Sequence, residues 1–83
     1  MYYTYILYSE SFDRYYVGHC QLLEARLQRH NAKAVPSTKA YTPWQIMYSE
    51  SYPTKAAACK RESEIKGKKS RKYIESLIQN KSS

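Results

Sequence analysis

The chain has 83 residues, of which 14 are Lys or Arg and 7 are Asp or Glu, so its formal charge is +7. This length supports one compact domain and leaves no room for a second catalytic or cofactor-binding domain. The 10 Tyr residues and the hydrophobic share of 42% argue against a disordered chain, because disordered chains are poor in aromatic residues.

Two features bear on the cellular compartment. No apolar run approaches the roughly 20 residues of a membrane-spanning helix, and the start of the chain lacks the positive charge of a secretory signal. We therefore expect a cytoplasmic protein without membrane contact. Cys20 and Cys59 lie far apart, which favours a reducing compartment and packing roles for both thiols. His19 and His30 complete a count of four zinc ligands, but the paired spacing of a structural zinc site is missing.

The positive charge is concentrated towards the C-terminus. Residues 1–54 hold five Lys or Arg against four Asp or Glu, and residues 55–83 hold nine against three, which gives +1 and +6. A concentrated positive field favours a polyanion as partner. The alternative is a Lys-rich helical end that is merely solvated, and composition alone does not choose between the two.

Two strands open the predicted fold. Residues 3–8 and 14–19 are rich in Tyr and β-branched residues, which is typical of strands. The turn residues 9–13 between them are few, so the two strands should pair as an antiparallel hairpin. The first strand is apolar on both alternating faces, and we expect it to be covered on both sides.

A change to helical spacing follows the hairpin. The pattern over 22–31 predicts a helix, with Leu23 and Leu27 one turn apart and packed on the sheet. Arg26 and His30 lie on the adjacent stripe of this helix, again one turn apart. They should therefore project together.

The rest of the chain predicts a loop, a strand and two helices. Residues 32–43 contain Pro, Ser and Thr without periodicity and are predicted as loop, and residues 44–49 as a third strand. Thr54 as N-cap and Gly67 as the end delimit a second helix. Ser70 can cap a third helix. The buried face of that helix would carry Tyr73, Ile74, Leu77 and Ile78.

The predicted element order is therefore β-β-α-β-α-α, with no internal repeat. This order indicates an α+β domain, in which a three-stranded antiparallel sheet is flanked by helices. We expect a single domain over residues 1–79, with residues 80–83 as a frayed C-terminal tail.

One carboxylate lies on the apolar side of the second helix. At about 100° per residue, Glu62 shares a side with Ala58 and Ile65, whereas Glu64 lies on the opposite side. A carboxylate on an apolar stripe is costly unless it meets a cation, a metal ion or several donors. A buried ion pair between Glu62 and Arg26 and a metal site are equally good explanations from the sequence.

The tyrosines of the hairpin raise a similar choice. Tyr5 lies on one face of the first strand, and Tyr16 shares its face with Gly18 on the second. Tyr5 and Tyr16 can be cross-strand neighbours if the register allows, although most buried tyrosines are simply core residues. Gly18 packs nothing itself, and an interior strand Gly commonly marks a bulge or a close approach of a ligand or backbone.

A set of spaced residues extends over nearly the whole chain: Tyr3-Thr4-Tyr5, Tyr16-Val17-Gly18, Arg26, His30 and Glu62. Tyr16 lies 11 positions after Tyr5 and 10 positions before Arg26. His30 follows Arg26 by 4 positions. These residues and spacings resemble the GIY-YIG endonuclease superfamily, whose nuclease domain is small and often stands alone. Only the final Tyr of the first motif remains, because Tyr3 and Thr4 stand where the family name has Gly and Ile.

The resemblance implies a chemistry. Glu62 would bind one divalent metal ion, Mg²⁺ or Mn²⁺, and Arg26 would face the scissile phosphate, where its planar donors suit developing negative charge. Tyr5 and Tyr16 are the implied helpers in removing a proton from the attacking water. A tyrosine, with a reference pKa of about 10, needs a nearby cation for this task. His30 would either supply that charge or accept a hydrogen bond from Tyr16 and relay the proton.

Contacts with nucleic acid are expected from further basic residues. His19 follows the second motif directly, where some relatives carry a basic residue, and it would contact a phosphate or the leaving group. The other expected contacts are Lys66, Lys68, Lys69 and Lys72.

The sequence and the resemblance together predict a metal-dependent endonuclease that hydrolyses phosphodiester bonds in DNA, either structure-selective or acting in repair or recombination. The alternative is a non-catalytic nucleic-acid or protein-binding module that keeps the nuclease fold. RNA is an alternative substrate. Nothing in the sequence reads bases, so a partner protein that supplies targeting is a further expectation.

Overall fold

A computed structural model of the chain describes residues 1–81. In chain order the elements are β1 (Tyr2–Ser9), β2 (Arg14–Cys20), α1 (Leu23–Asn31), a short 3-10 helix (Lys39–Tyr41), β3 (Gln45–Tyr52), α2 (Lys55–Gly67) and α3 (Arg71–Lys81). The predicted α+β class and element order are confirmed. The predicted bounds differ most at β3, which extends to Tyr52.

The sheet is antiparallel and has the strand order β2-β1-β3. The central strand β1 buries four consecutive residues, Thr4 to Leu7, as expected for a strand that is covered on both faces. Within residues 1–81, β2 pairs with β1 alone and is therefore an edge strand. A register irregularity between Ile6 and Leu7 shifts the pairing of β1 with β3.

Helices cover both faces of the sheet. On one face, α1 adds Leu23 and Leu27 to a buried cluster, as their spacing predicts. That cluster contains Tyr5, Leu7, Cys20 and Trp44. On the other face, α2 and α3 cover a second cluster. Its members include Ile6, Val17 and Ile65, with Tyr73, Ile74, Leu77 and Ile78 packed against them.

The ends of the later helices follow local sequence rules. The side chains of Thr54 and Ser70 each accept a hydrogen bond from the backbone N–H three residues further on, at 3.2 and 3.1 Å. Helix α2 ends at Gly67, as predicted, but the left-handed residue that reverses the chain is Lys69, with φ of 48°. Helix α3 includes the first two residues of the predicted tail, and residues 82–83 lie outside the described residues.

The two cysteines have different surroundings. Cys20 is buried in the core, as its predicted packing role requires, whereas Cys59 is exposed on α2. The prediction was therefore wrong for Cys59, because the helix turns this residue towards solvent. In the part of the chain that the structure describes, no helix combines the length and apolar character needed to cross a bilayer.

A row of three residues across the sheet fixes α2. His19 on β2 and Glu50 on β3 both pair with Thr4 on β1, and we call these three residues the anchor row. Each of them contacts α2. The contacts join Thr4 to the carbonyl of Ala58 at 2.7 Å, His19 to Glu62 at 2.5 Å and Glu50 to Arg61 at 2.9 Å. The position of α2 on the sheet is thus held at three points.

Candidate active site

Glu62 lies against the edge strand β2. Its Oε1 is 2.5 Å from Nδ1 of His19, and its Oε2 accepts a hydrogen bond from Nζ of Lys66 at 2.6 Å. Burial acts to raise the pKa of Glu62, but the hydrogen bonds from Lys66 and His19 outweigh it, and the pKa lies below its ordinary value. Glu62 is therefore ionised at neutral pH. Its partner is His19, and no ion pair between Glu62 and Arg26 occurs in the described structure.

Arg61, the residue before Glu62, reaches the other outer strand, β3, and binds Glu50 there. Its Nε and Nη2 donate to the two carboxylate oxygens at 2.9 and 3.2 Å, and the hydroxyls of Tyr48 and Tyr52 donate to the same carboxylate. Burial acts to raise the pKa of Glu50, but these donors outweigh it and lower the pKa. Sequence reasoning missed this network. The alternation of Tyr48, Glu50 and Tyr52 on one strand face was the available signal.

Tyr5 and His30 form a buried hydrogen-bonded pair. Their exposed fractions are 2% and 1%, and the hydroxyl of Tyr5 lies 3.0 Å from Nε2 of His30. On the other side of the ring, Nδ1 lies 2.8 Å from Oγ1 of Thr38. The hydroxyl of Thr38 donates to the carbonyl of Val35 at 3.3 Å, so its oxygen accepts from Nδ1–H. Nε2 is then the acceptor for Tyr5. Sequence reasoning missed Thr38, because the loop around it shows no periodicity.

The environment keeps both members of this pair neutral. Burial, together with the positive charges of Arg26 and Arg29, lowers the pKa of His30. Burial, with the nearby Tyr16, raises the pKa of Tyr5 in spite of the opposing effect of Arg26. Both shifts favour the neutral forms over the cation and the phenolate that the resemblance implies. The relay from Tyr16 to His30 is not formed either, because Tyr5 occupies Nε2.

Tyr16 lies next to this buried pair but is only half-buried. Its ring centroid is 5.0 Å from that of His30 and 6.4 Å from that of Tyr5. Tyr5 faces Gly18 directly, so Tyr16 is its diagonal neighbour. The Nζ of Lys66 lies 5.6 Å from the centroid of the Tyr16 ring. Tyr16 is thus more accessible than Tyr5, and the lysine that binds Glu62 lies over its ring.

Gly18 makes room for Tyr5. A Cβ at residue 18 would lie 2.6 Å from the hydroxyl oxygen of Tyr5 and 3.1 Å from Cε2 of Tyr16. A close approach does occur at this glycine, but the approaching group is the Tyr5 side chain and not the ligand or backbone that the sequence pattern suggested. The hydroxyl of Tyr5 reaches His30 only because residue 18 has no side chain.

Arg26 lines a cavity of about 300 Å³ at the end of β2. His19 also lines this cavity, and its Nδ1 contacts Glu62. His19 is therefore the residue that connects the cavity of Arg26 with Glu62. The prediction that Arg26 and His30 project together is met only in part, because His30 is buried while Arg26 reaches an open cavity.

The five predicted nucleic-acid contacts do not form one surface. Lys66 and Lys69 line a second cavity, of about 660 Å³, together with Tyr16. The Nζ of Lys68 instead lies 5.4 Å from the ring centroid of Tyr73. Lys72 is exposed and lines neither cavity. With His19 beside Glu62, three of the five residues border the site.

The residues present fit a hard divalent cation. Among residues 1–81, no group of three or more His, Cys, Asp or Glu side chains could hold a metal ion, so a zinc-type set of four protein ligands is not formed there. Glu62 offers one ionised carboxylate, and Mg²⁺ or Mn²⁺ completes such a site with water and phosphate oxygens. The side chain of Lys66 is 50% exposed, so it can leave Oε2 without disturbing the core.

Comparisons with known proteins bear on this arrangement. A UPF0213 protein of Staphylococcus epidermidis is 42% identical over 52 residues, which cover 61% of this chain and 63% of that protein. A UPF0213 protein of Staphylococcus aureus is 40% identical over the same length, with the same coverage. The chain thus spans 63% of the length of these relatives. The solution NMR structure of a UPF0213 protein from Bacillus halodurans is 28% identical, with a TM-score of 0.60, and the match covers 98% of this chain and 86% of that one.

The match to a protein family covers a longer part of the chain than the match to the staphylococcal relatives. The GIY-YIG catalytic domain matches residues 1–74, a range that contains β1 to α2 and every predicted catalytic residue. Within this range, His19 contacts Glu62 and lines a cavity with Arg26, and Lys66, which binds Glu62, lies over the ring of Tyr16. The chain therefore belongs to the family of GIY-YIG catalytic domains.

Proposed function

We propose that this protein is a metal-dependent endonuclease that hydrolyses phosphodiester bonds in DNA. The observation that carries the proposal is the position of ionised Glu62 beside His19, which lines the same cavity as Arg26. A carboxylate that can hold a hard cation and a guanidinium that can bind phosphate are the two kinds of charge that phosphoryl transfer needs. Membership of the GIY-YIG catalytic domain family supports this assignment.

Each residue would act on the phosphate in a distinct way. Glu62 would hold the Mg²⁺ or Mn²⁺ ion, which supplies positive charge to the phosphoryl oxygens when bound. Arg26 would donate to a non-bridging oxygen and stabilise the charge that grows there in the transition state. His19 would donate to a phosphate or to the leaving oxygen, since it lines the cavity next to Arg26.

The tyrosines would divide their tasks. Tyr16 is half-buried, so its hydroxyl would contact the substrate or the attacking water and orient it. Tyr5 and His30 are buried, and we assign them a positioning role, in which their rings hold the ring of Tyr16. Tyr5 and His30 would thus support Tyr16, which contacts the reacting groups, and would not contact those groups themselves.

Sequence-independent contacts would hold the nucleic acid. Lys66 and Lys69 line the larger cavity beside Tyr16 and would bind phosphates on that side of the site. Lys68 and Lys72 lie further away and would add only to the long-range field. RNA stays an alternative substrate, and we propose that a partner protein supplies targeting, because the site offers phosphate contacts rather than base contacts.

One observation favours a non-catalytic binding module instead. Both carboxylate oxygens of Glu62 already have cationic or polar partners in Lys66 and His19. In a binding module this cluster would be a structural ion pair, and no metal would be needed. The two alternatives predict different behaviour towards divalent ions.

The experiment compares cleavage of flapped, nicked, branched and linear DNA, and of RNA, with Mg²⁺, with Mn²⁺ and with chelator. We expect metal-dependent cleavage that Glu62→Gln abolishes, while Glu64→Gln on the exposed side of α2 keeps it; the Glu64 side chain is 52% exposed. Binding of Mn²⁺, followed by electron paramagnetic resonance, should be lost in the same variant. Cleavage that persists in chelator or in Glu62→Gln would refute the proposal, and absence of both cleavage and Mn²⁺ binding would favour the binding module.

A further inference from the structure

The cavity that Arg26 lines contains charge of one sign only. It lies where β2 ends and α2 begins, and six residues line it: Tyr2, His19, Cys20, Gln21, Arg26 and Lys55. Two of these carry positive charge, His19 can carry it, and none carries negative charge. A cleft lined by one sign of charge concentrates ions of the opposite sign.

The larger cavity is lined by both signs of charge. Its cations Lys66 and Arg71 bind carboxylates, Lys66 to Glu62 and Arg71 to Asp13 and Glu75, whereas Arg14 and Lys69 form no ion pair with a described carboxylate. In the smaller cavity, neither Arg26 nor Lys55 forms an ion pair with any carboxylate of residues 1–81. Its positive charge is therefore left for an anion from outside the chain.

Lys55 is the unassigned member of this cavity. It is the first residue of α2 and is exposed. Glu62 lies seven positions later on the same helix, so the two backbone positions are about 10 Å apart along its axis. His19 lines the cavity with Lys55 and Arg26 and also contacts Glu62, so the lysine at the start of α2 and the carboxylate two turns later both lie beside His19.

We propose that Lys55 binds a phosphate group of the substrate strand, next to the phosphate that Glu62 and Arg26 act on. This inference rests on the proposed function, and it adds a direction: the strand passes from Glu62 towards the start of α2. An ammonium group on a flexible side chain suits a contact with phosphate of any sequence. The phosphate is either an internal diester or a terminal monoester, since both offer the same oxygens.

The test measures DNA affinity against salt in chelator, where no cleavage occurs. Fluorescence anisotropy would follow labelled nicked and flapped DNA with the wild-type chain, Lys55→Gln and the matched control Lys60→Gln. Lys60 is exposed on the same helix but lines neither cavity. We expect the slope of log affinity against log salt to fall in magnitude by about 0.9 for Lys55→Gln. We expect the slope of Lys60→Gln to match the wild type, and Lys55→Arg to restore it.

Two further arms make the outcome specific. DNA with 5′-phosphate or 5′-hydroxyl ends separates a terminal monoester from an internal diester, because only a terminal contact is lost with the end phosphate. If Lys55→Gln and Lys60→Gln give the same slope while Glu62→Gln still abolishes cleavage, the phosphate subsite is wrong and the nuclease proposal stands. If no substrate is cleaved but the salt slope falls in Lys55→Gln alone, the nuclease proposal fails and the phosphate subsite belongs to a binding module.

Discussion

Tyr5 and Gly18 face each other across the β1–β2 ladder, and the hydroxyl of Tyr5 lies where a side chain of residue 18 would begin. A Cβ at this position would be 2.8 Å from Cζ of Tyr5, which is shorter than any van der Waals contact. The absence of a side chain at residue 18 is therefore what allows Tyr5 to bind His30. Gly18, which carries no functional group, thus determines the geometry of Tyr5 and His30, which do carry one.

The first prediction concerns Gly18. We expect Gly18→Ala to displace the Tyr5 ring, to lower the free energy of unfolding by about 1–3 kcal/mol and to reduce cleavage at least tenfold. Denaturant unfolding and single-turnover cleavage would measure the two effects. Gly67→Ala is the matched control, because no atom lies within 4 Å of its added Cβ and its φ is not positive. A stable and fully active Gly18→Ala would contradict the steric role of the glycine.

The second prediction concerns pH. The pKa of His30 in the folded protein lies below its ordinary value, so the unfolded chain binds more protons than the folded one as the pH falls below about 6.5. The contribution of the neutral His30 imidazole to the free energy of unfolding is fully present above that pH. It is lost as the pH falls towards the pKa of His30 in the folded protein. Melting temperatures between pH 8 and pH 5 should therefore decline on acidification, and His30→Gln should show a flatter profile. Parallel profiles would show that His30 does not carry the effect.

The third prediction concerns the tyrosine hydroxyls. Tyr16→Phe should lower the cleavage rate while stability and DNA affinity stay unchanged, because its hydroxyl would act only on the reacting groups. Tyr5→Phe should also lower stability, by about 1 kcal/mol, because Nε2 of His30 loses its buried partner. Thermal melts beside binding and cleavage assays separate the two variants. Equal effects of both substitutions on stability would argue against the division of roles.

The fourth prediction concerns the network around Glu50. Arg61→Met should destabilise the fold by about 2 kcal/mol, because it leaves a partly buried carboxylate without its guanidinium. The double variant with Glu50→Gln should recover part of this loss. Arg71→Met is the control, since its partner Asp13 is exposed and the side chain of Arg71 is 48% exposed, so little change in stability is expected. A double-mutant cycle, measured by denaturant unfolding, would give the coupling free energy between Glu50 and Arg61. If the losses in free energy of unfolding were additive, the two residues would act independently.

The sequence was most informative where structure depends on neighbours in the chain. The spacing of Leu23 and Leu27 and the cap at Thr54 follow from local geometry, and the structure confirms both. The interior Gly18 also marked a close approach, although the approaching group is a side chain. The inward side of Glu62 was also apparent from helical periodicity. What helical periodicity cannot supply is the identity of the partner, which depends on how α2 docks on the sheet.

The missed contacts share this cause. An ion pair with Arg26 was one of two explanations that the sequence offered for Glu62, the other being a metal site, but the anchor row places His19 beside the carboxylate. Likewise, Thr38 lies in a loop whose path is set by tertiary contacts, and it fixes the tautomer of His30. In both cases the residue type was compatible with several partners, and only the three-dimensional register selected one.

The anchor row also sets the order in which the candidate site can come together. Tyr5, Tyr16 and His30 lie within one short stretch of chain, and the contact of Tyr5 with His30 spans 25 positions. The contacts that dock α2 span 43 positions for His19 with Glu62 and 54 for Thr4 with Ala58. Contacts of short separation close at lower entropic cost, so the hairpin and α1 can form before the carboxylate arrives. Partial detachment of α2, visible as faster amide exchange in α2 than in β1, would therefore withdraw Glu62 while the tyrosines stay in place.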